Sequence, residues 1–380
     1  MSLCKKYKVF ILLLFSLLSI FLLSCVTQHN NDKLPQYEID NVIFLGNVWG
    51  IGQKQSNVIS QDGGYSNTIS NGSLWWFGDT FLGKNIGVDK FDVIGNVSCA
   101  LGFLPKNEFE SDFPPKLQYL CNEQGTATQA IEYLSGESPD KIRLWPLSSI
   151  ALNNKYYVYY SYIEKTGNGS WDFKTLGSGL AVSDIAFAQY KRIVKDNNFL
   201  YPVSPVALIE ADGWLYCYSI GKNGKGLTLS RVKPSEIEEK NAYEYYAYGD
   251  DFTKDRDRQV QILDDVYGQV SIAYIECLNS YIMASSSNFF VPREIQFFIS
   301  KSPIGPWKKI NAKLKVPEYT QVGKIELVYC AYFHSEFFKE NGKVLNITYS
   351  VMLKDRWFNV NNEMVEFNFG ELIDCDKKIK

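Results

Sequence analysis

Residues 62–83 have the sequence DGGYSNTISNGSLWWFGDTFLG, in which two short apolar and aromatic runs are separated by Asn71-Gly72. Runs rich in β-branched and aromatic residues favour strands. Asn-Gly favours the tight turns that suit the twist of two paired strands. The stretch therefore predicts a β-hairpin that is made of residues 64–70 and 73–77.

The same strand-turn-strand pattern occurs five times, at intervals of about 60 to 80 residues. The predicted hairpins are 64–70 with 73–77, 145–152 with 155–160, 202–209 with 214–219, 270–278 with 281–285, and 329–338 with 343–350. A third strand follows most of them, and such units are typical of propeller blades. The pattern predicts an all-β fold, namely a single-domain five-bladed β-propeller, whose ring is closed by 42–45 or 364–369. An irregular β-sandwich or two β domains are the alternatives.

The first 24 residues have the organisation of a lipoprotein signal peptide. Three lysines precede an uncharged apolar segment that is too short to span a bilayer. The sequence LLSC that ends at Cys25 resembles the bacterial lipobox, so Cys25 is the predicted lipidation site. Cleavage without a lipid and a transmembrane anchor are the alternatives. We therefore predict an exported protein, lipid-anchored to the cell envelope, with a signal peptide at 1–24, a polar tether at 25–36 and the propeller domain at 37–380.

The composition argues against several classes of function. Without the signal peptide and its three lysines, 36 basic and 42 acidic residues give a net charge of −6, whereas nucleic-acid binding needs clustered Lys and Arg. No cysteines form a C-x-x-C pair, and the only histidines are His29 and His334. A zinc site or a histidine-rich metal centre is therefore not expected, and no cofactor is predicted. Export would permit a disulfide between Cys99 and Cys121, but nothing in the sequence requires one.

Two aspartates flank the first predicted hairpin. With Asn71-Gly72 as the turn, Gly64 is predicted to oppose Asp79, which places Asp62 and Asp79 diagonally on one face. Such neighbours lie roughly 7–8 Å apart. Their repulsion would raise one pKa, as a general acid requires, so they are candidate catalytic residues. The alternatives are that they cap turns or hold a structural calcium ion.

Other residues are predicted near the same end of the propeller channel, because they lie at equivalent positions of the repeat. Arg143 and Trp145 suit hydroxyl recognition and sugar stacking, and Glu336 is a third candidate catalytic carboxylate. The remaining candidate substrate-binding residues are Asn96, Tyr274, Tyr332 and His334. For most of these residues a purely structural role is the alternative.

Several motifs together resemble the bacterial domain of unknown function 4185. They are Asp62-Gly63-Gly64-Tyr65-Ser66, Leu74 to Gly83, Asn96-Val97-Ser98, Leu144-Trp145-Pro146, Gly179-Leu180-Ala181, Ser302 to Trp307 and His334-Ser335-Glu336. The resemblance implies a five-bladed propeller related to endo-D-arabinanases of glycoside hydrolase family 183, with a carbohydrate-active role carried by Asp62 and Asp79. This chain has Ser335 where the family often has proline. Blades two and three also lack the acids that arabinanases of family 43 carry there.

Three functions are compatible with these patterns. The first is a glycoside hydrolase, endo-D-arabinanase-like, that acts on an extracellular polysaccharide by carboxylate acid/base chemistry. The second is a non-catalytic glycan-binding surface lipoprotein, and the third is a propeller scaffold for protein partners. The expected partners are a polysaccharide or oligosaccharide and, through Cys25, a membrane. A monomer is expected.

Overall fold

The computed structural model describes residues 38–48, 56–87, 90–167, 169, 171–221, 224–249, 251–287, 293–321, 323–354 and 360–370, all within the unit Tyr37–Lys380. The predicted signal peptide, the tether, His29 and Cys25 lie outside the described residues. No helix in the described part of the chain is long and apolar enough to cross a membrane.

The described residues form strands joined by turns and single-turn 3-10 helices. The strands are β1 (Ile39–Asn47), β2 (Val58–Ile69), β3 (Gly72–Gly87), β4 (Lys90–Val97), β5 (Ala100–Pro105), β6 (Gln118–Tyr119), β7 (Ile142–Leu152), β8 (Lys155–Lys165), β9 (Phe173–Ser183), β10 (Lys191–Arg192), β11 (Pro205–Ala211), β12 (Trp214–Ile220), β13 (Lys225–Val232), β14 (Glu244–Tyr246), β15 (Phe252–Thr253), β16 (Gln261–Ile275), β17 (Ser280–Ser286), β18 (Glu294–Ser300), β19 (Lys308–Lys315), β20 (Tyr319–Thr320), β21 (Gly323–Phe333), β22 (Val344–Leu353) and β23 (Val360–Phe369). The 3-10 helices are Lys106–Glu108, Pro234–Glu236, Lys240–Ala242, Arg256–Arg258, Glu276–Leu278, Ser335–Phe337 and Glu340–Gly342. The prediction of an all-β fold is confirmed.

The strands group into five antiparallel units. Blade one contains β2, β3, β5 and β6 with β4 paired to β3; blade two contains β7 to β10; blade three β11 to β14; blade four β16 to β19; and blade five β21, β22, β23 and β1. Blades three and four join edge to edge through β13 and β16. The first strands contact one another in a closed cycle: β2 with β7, β7 with β11, β11 with β16, β16 with β21, and β21 with β2. This cycle is the arrangement of a five-bladed propeller.

Blade five is completed by the N-terminal strand. β1 pairs with β23, for example Phe44 with Val365, and β23 pairs with β22. The two predicted closing segments, 42–45 and 364–369, therefore both take part, as adjacent strands. Joining the two ends of the described chain in one sheet closes the ring by backbone hydrogen bonds.

The register of the first hairpin differs from the prediction. The two-residue turn is Ser70-Asn71, since Ile69 pairs with Gly72. Gly72 is a strand residue that also pairs with Pro105 of β5, and a Cβ there would lie 2.3 Å from the Leu104 carbonyl oxygen. The predicted pairing of Gly64 with Asp79 is therefore wrong.

The interior between the blades is filled by large aromatic side chains. Trp75, Trp76 and Phe77 of β3 are completely buried. Consecutive residues of a strand point to opposite faces, so burial of all three means that both faces of β3 are covered by neighbouring blades. Both Cys99 and Cys121 are free thiols, so no disulfide joins them.

Candidate active site

One end of the propeller channel opens into a cavity of about 820 Å³, which we call the Asp62–Asp79 cavity. It lies where β7 begins and β8 ends. Six of the predicted site residues line it: Asp62, Asp79, Asn96, Arg143, Trp145 and Tyr332. The structure therefore brings together the acid pair and most of the residues predicted to surround it, although the predicted register was wrong.

Asp62 reaches this position through an irregularity in β2. Gln61 pairs with Thr80 and Gly63 with Phe77, so the pairing shifts on either side of Asp62. Gly63 has φ +80°, a conformation that favours glycine. Gly78 completes the arrangement, because a Cβ at that position would lie 2.4 Å from Asp62 Oδ1. The glycines around the acid pair therefore provide the room and the backbone shape that the carboxylate of Asp62 needs.

Asp62 lies in an environment that favours its protonated form. Burial, followed by the negative charge of Asp79, raises the pKa of Asp62 from the usual 3.8 to about 7. The Tyr329 hydroxyl donates a hydrogen bond of 2.8 Å to Asp62 Oδ2 and opposes this rise. Asp62 can therefore hold a proton near neutral pH and release it to a bound group.

Asp79 has partners that favour its charged form. Burial raises the pKa of Asp79, but the hydrogen bond from Trp145 and the charges of Arg143 and Lys165 lower it. Trp145 Nε1 donates to Asp79 Oδ1 at 2.9 Å, and Arg143 Nε lies 3.9 Å from the same oxygen. The two neighbouring carboxylates therefore have different environments, and Asp62 is the one that retains the proton.

The link between β4 and β5 fixes the partners of Asp79. Ser98 Oγ accepts a hydrogen bond of 2.9 Å from the Leu144 backbone N–H, between Arg143 and Trp145. Ser98 is itself held, because its backbone N–H donates to Gln129 Oε1 at 3.0 Å. Blade one thereby sets the position of the β7 residues that contact its own Asp79.

A family model matches residues 51–367, and its description is "Domain of unknown function (DUF5005)". The chain belongs to the DUF5005 family. The likeness to the domain of unknown function 4185 rests only on the motifs quoted above, and the matching family model is a different one. The comparison with curated proteins returned no match.

Three solved structures are similar to this DUF5005 protein at low sequence identity. A candidate hydrolase from Bacteroides ovatus ATCC 8483 has a TM-score of 0.66 at 14% identity, covering 93% of this chain and 100% of that chain. The GH43_1 enzyme from Xanthomonas citri, in complex with xylotriose, has a TM-score of 0.45 at 11% identity, with coverages of 83% and 92%. CoXyl43, a GH43 β-xylosidase/α-arabinofuranosidase from a compost microbial metagenome, has a TM-score of 0.48 at 12% identity, with coverages of 87% and 94%. At 14% identity the likeness to the Bacteroides ovatus protein concerns the fold alone.

An aromatic wall on the blade-two side of the Asp62–Asp79 cavity was not predicted from the sequence. Trp145 and Phe173 meet edge to face with ring centroids 4.9 Å apart, and Trp171 lies 6.4 Å from Phe173. The Trp171 residue is 63% exposed although it lines the cavity. A tryptophan in the otherwise polar segment 166–172 was the signal available in the sequence.

Four further residues line the cavity without having been predicted there: Lys165, Gln269, Tyr329 and Cys330. Tyr329 and Cys330 lie in a predicted strand, but alternation from Tyr332 placed Tyr329 on the opposite face, and Cys330 was assigned no role in the site. A bulge between Tyr329 and Tyr332 shifts that alternation.

Glu336 and His334 do not reach the cavity, contrary to the prediction that they act on substrate. Both side chains are 0% exposed. The Ser66 hydroxyl donates to Glu336 Oε2 at 2.9 Å and lies 2.8 Å from His334 Nδ1, while Trp75 stacks on the imidazole at 4.2 Å. We call these four residues the His334–Glu336 cluster. It joins blades one and five inside the protein, because the 3-10 turn that follows β21 directs Glu336 inward.

Tyr274 lies at the other end of the channel. It lines a separate cavity of about 340 Å³, and its hydroxyl donates to Asn279 Oδ1 at 2.5 Å. The predicted location of Tyr274, as a substrate-binding residue at the same end of the channel as the acid pair, is therefore wrong, because Tyr274 is next to the turn that ends β16. Among the described residues, no group of three or more His, Cys, Asp and Glu side chains could hold a metal ion.

Proposed function

We propose that this protein is a glycoside hydrolase, endo-D-arabinanase-like, that cleaves an extracellular polysaccharide. The observation that carries the proposal is the pair of carboxylates in one cavity, of which Asp62 has a pKa raised to about 7 by burial and by the charge of Asp79, while Asp79 has three partners that stabilise its charge. An acid and a base held side by side are what hydrolysis of a glycosidic bond requires. Export, the lipid on Cys25 and the monomeric state belong to the same proposal.

The proposed reaction uses the two aspartates and water. Asp62 donates its proton to the glycosidic oxygen as the bond from that oxygen to the anomeric carbon breaks. Asp79 either removes a proton from the water that attacks this carbon, or attacks the carbon itself before water releases the sugar. The anomer that is first released distinguishes these two routes.

The walls of the cavity suit a sugar chain. Trp145, Phe173 and Trp171 offer apolar ring faces, which are suited to the C–H faces of sugar rings, while Asn96 and Lys165 can hydrogen-bond to hydroxyl groups. The open volume of about 820 Å³ accommodates more than one monosaccharide. This arrangement supports an oligosaccharide or polysaccharide substrate.

The test is the release of reducing ends from a panel of purified glycans, including D-arabinan, L-arabinan, arabinoxylan, xylan and galactan. We expect turnover of at least one furanose-containing glycan, with oligosaccharide products. Saturable binding to a glycan without any release of reducing ends would contradict the hydrolase and support the glycan-binding alternative.

The pH dependence of hydrolysis follows from Asp62. The general acid must be protonated, so kcat is expected to fall as the pH rises through about 7, the pKa of Asp62. The measurement is kcat between pH 4 and 9 on the glycan that the panel identifies. A kcat that keeps rising beyond pH 8 would contradict the assignment of Asp62 as the acid.

Trp171→Ala is expected to raise KM by about tenfold with little change in kcat, because the exposed indole offers a stacking surface at some distance from the acid pair. Steady-state kinetics on the identified glycan measures this effect. Tyr248→Ala is the matched control, since Tyr248 is an 86% exposed aromatic residue that does not line the cavity. Equal effects of the two substitutions would argue against a sugar-binding role for Trp171.

A further inference from the structure

One contact in the cavity joins blade five to the acid of blade one. The Tyr329 hydroxyl donates to Asp62 Oδ2 at 2.8 Å, although the two residues are 267 positions apart in the sequence. Burial and the charge of Asp62 raise the pKa of Tyr329 well above its ordinary value. The hydroxyl therefore keeps its proton and acts as a donor, not as a nucleophile.

The backbone beside Tyr329 has an unusual shape. Tyr329 pairs with Ser350 but Tyr332 pairs with Thr348, so β21 contains a bulge between these pairs. Within it Cys330 has φ +54°, a left-handed conformation that is costly for a residue with a side chain. Bulges of this kind redirect neighbouring side chains.

The bulge is held from blade four. The Cys330 thiol donates to Gln269 Oε1 at 3.4 Å, and Gln269 lies beside Gly268, which has φ +62° in a second bulge, in β16. Two irregular strands from neighbouring blades therefore meet where Tyr329 turns towards Asp62. A backbone conformation that costs free energy is often retained at a functional site. Here the strained conformation of Cys330 accompanies the Tyr329–Asp62 hydrogen bond.

We propose that Tyr329, aimed by the Cys330 bulge, is the positioning residue of the general acid Asp62. This inference rests on the proposed function. The donated hydrogen bond fixes the orientation of the carboxyl group and favours its ionised form, so proton release to the leaving oxygen becomes easier. Tyr329 acts through Asp62, and the proton that reaches the glycosidic oxygen comes from Asp62.

The test is Tyr329→Phe, which removes only the hydroxyl. We expect the alkaline limb of the kcat–pH profile to move up by about one pH unit, because a donor that stabilises the ionised carboxylate is lost. We expect kcat at pH 5 to fall about tenfold, with KM within twofold. A second readout needs no substrate: the Asp62 side-chain carboxyl resonance, titrated by ¹³C NMR and assigned by its absence in Asp62→Asn, should show the same shift.

Tyr274→Phe is the matched control, because it also removes a hydroxyl bonded to a side chain, but at the other end of the channel. It should leave both readouts unchanged. If Tyr329→Phe does not fold, Cys330→Ala, which removes the thiol that bonds Gln269, should move the limb in the same direction by a smaller amount. If neither the alkaline limb of the kcat–pH profile nor the titration of the Asp62 carboxyl group moves in the variant that folds, the positioning role is overturned. If Asp62→Asn and Asp79→Asn are inactive in the same assay, the proposed hydrolase function would still hold although the positioning role of Tyr329 had failed.

Discussion

Asp62→Asn and Asp79→Asn should each lower kcat/KM for the natural glycan by about 10³-fold or more. A positioned general acid or base typically contributes 10²–10⁴-fold, and an amide cannot donate the proton that Asp62 supplies or accept one in place of Asp79. Neither substitution changes side-chain volume appreciably. The hydrogen bond from Trp145 to Asp79 can still be made to an amide oxygen, so we expect both variants to fold.

The two variants should differ on an activated substrate. A dinitrophenyl glycoside has a leaving group that departs without protonation, so Asp62→Asn should recover most of its activity on it. Asp79→Asn should stay inactive, because attack on the anomeric carbon still needs its carboxylate. Comparing kcat/KM on the natural and activated substrates measures this difference, and the reverse pattern would exchange the two assigned roles.

Asp257→Asn is the control for both, since Asp257 is an exposed aspartate that does not line the cavity. Full activity in both Asp62→Asn and Asp79→Asn, with Asp257→Asn also active, would remove the proposed mechanism. Far-UV circular dichroism and thermal unfolding confirm that each variant is folded before its kinetics are compared.

Glu336→Ala should destabilise the protein by about 3 kcal/mol, the cost of removing one partner of a buried polar cluster. The substitution removes the acceptor of the Ser66 hydroxyl. It also removes the carboxylate that lies 3.8 Å from His334 Nδ1. The effect is large because both the carboxylate and the imidazole are buried between blades one and five, so removing the carboxylate leaves a buried polar partner unpaired.

Urea unfolding at pH 7 measures this loss. Glu366→Ala is the matched control, because Glu366 pairs with Lys339 at 2.7 Å near the surface, where an ion pair contributes about 1 kcal/mol or less. Equal losses in the two variants would contradict the structural assignment of Glu336.

The pH dependence of the Glu336 contribution has a defined sign. Hydrogen bonds and the charge of His334 lower the pKa of Glu336 below 4.5, although burial opposes them. A carboxylate whose folded pKa is lowered stabilises the protein above its unfolded pKa and loses that contribution as the pH falls. The difference in stability between the parent protein and Glu336→Ala should therefore shrink below about pH 4.5. A Glu336→Gln variant that is as stable as the parent protein but inactive would contradict the structural assignment and indicate a catalytic role for Glu336.

Much of the fold could be predicted because strands and turns depend on neighbouring residues. Asn153 and Asn154, with φ of +51° and +61°, form the predicted two-residue turn of blade two, and Asp212-Gly213 does the same in blade three. The closing segments could be named, since 42–45 is an apolar run and 364–369 includes alternating apolar and polar residues, which is typical of a strand. That they pair with each other depends on closure of the whole ring.

The acid pair was found from a register that was wrong. Asp62 and Asp79 share a cavity because β2 is irregular around Gly63, whereas simple alternation from Asn71-Gly72 gave other partners. The same alternation placed His334 beside Tyr332 on the substrate side, but a bulge and a 3-10 turn direct His334 and Glu336 into the interior. Each added residue in a strand reverses the faces of all that follow, so errors accumulate along it.

The sequence by itself determined the local properties of this protein: its strands, most of its turns, its repeat, and an acid pair flanking one hairpin. Tertiary structure alone decided which residues meet across blades. Tyr329 touches Asp62, and Ser98 fixes Leu144 beside the partners of Asp79, over separations that no local pattern encodes. The physical reason is that hydrogen bonds along a hairpin follow from neighbouring residues, whereas contacts between blades depend on bulges, ring closure and the packing of the entire domain.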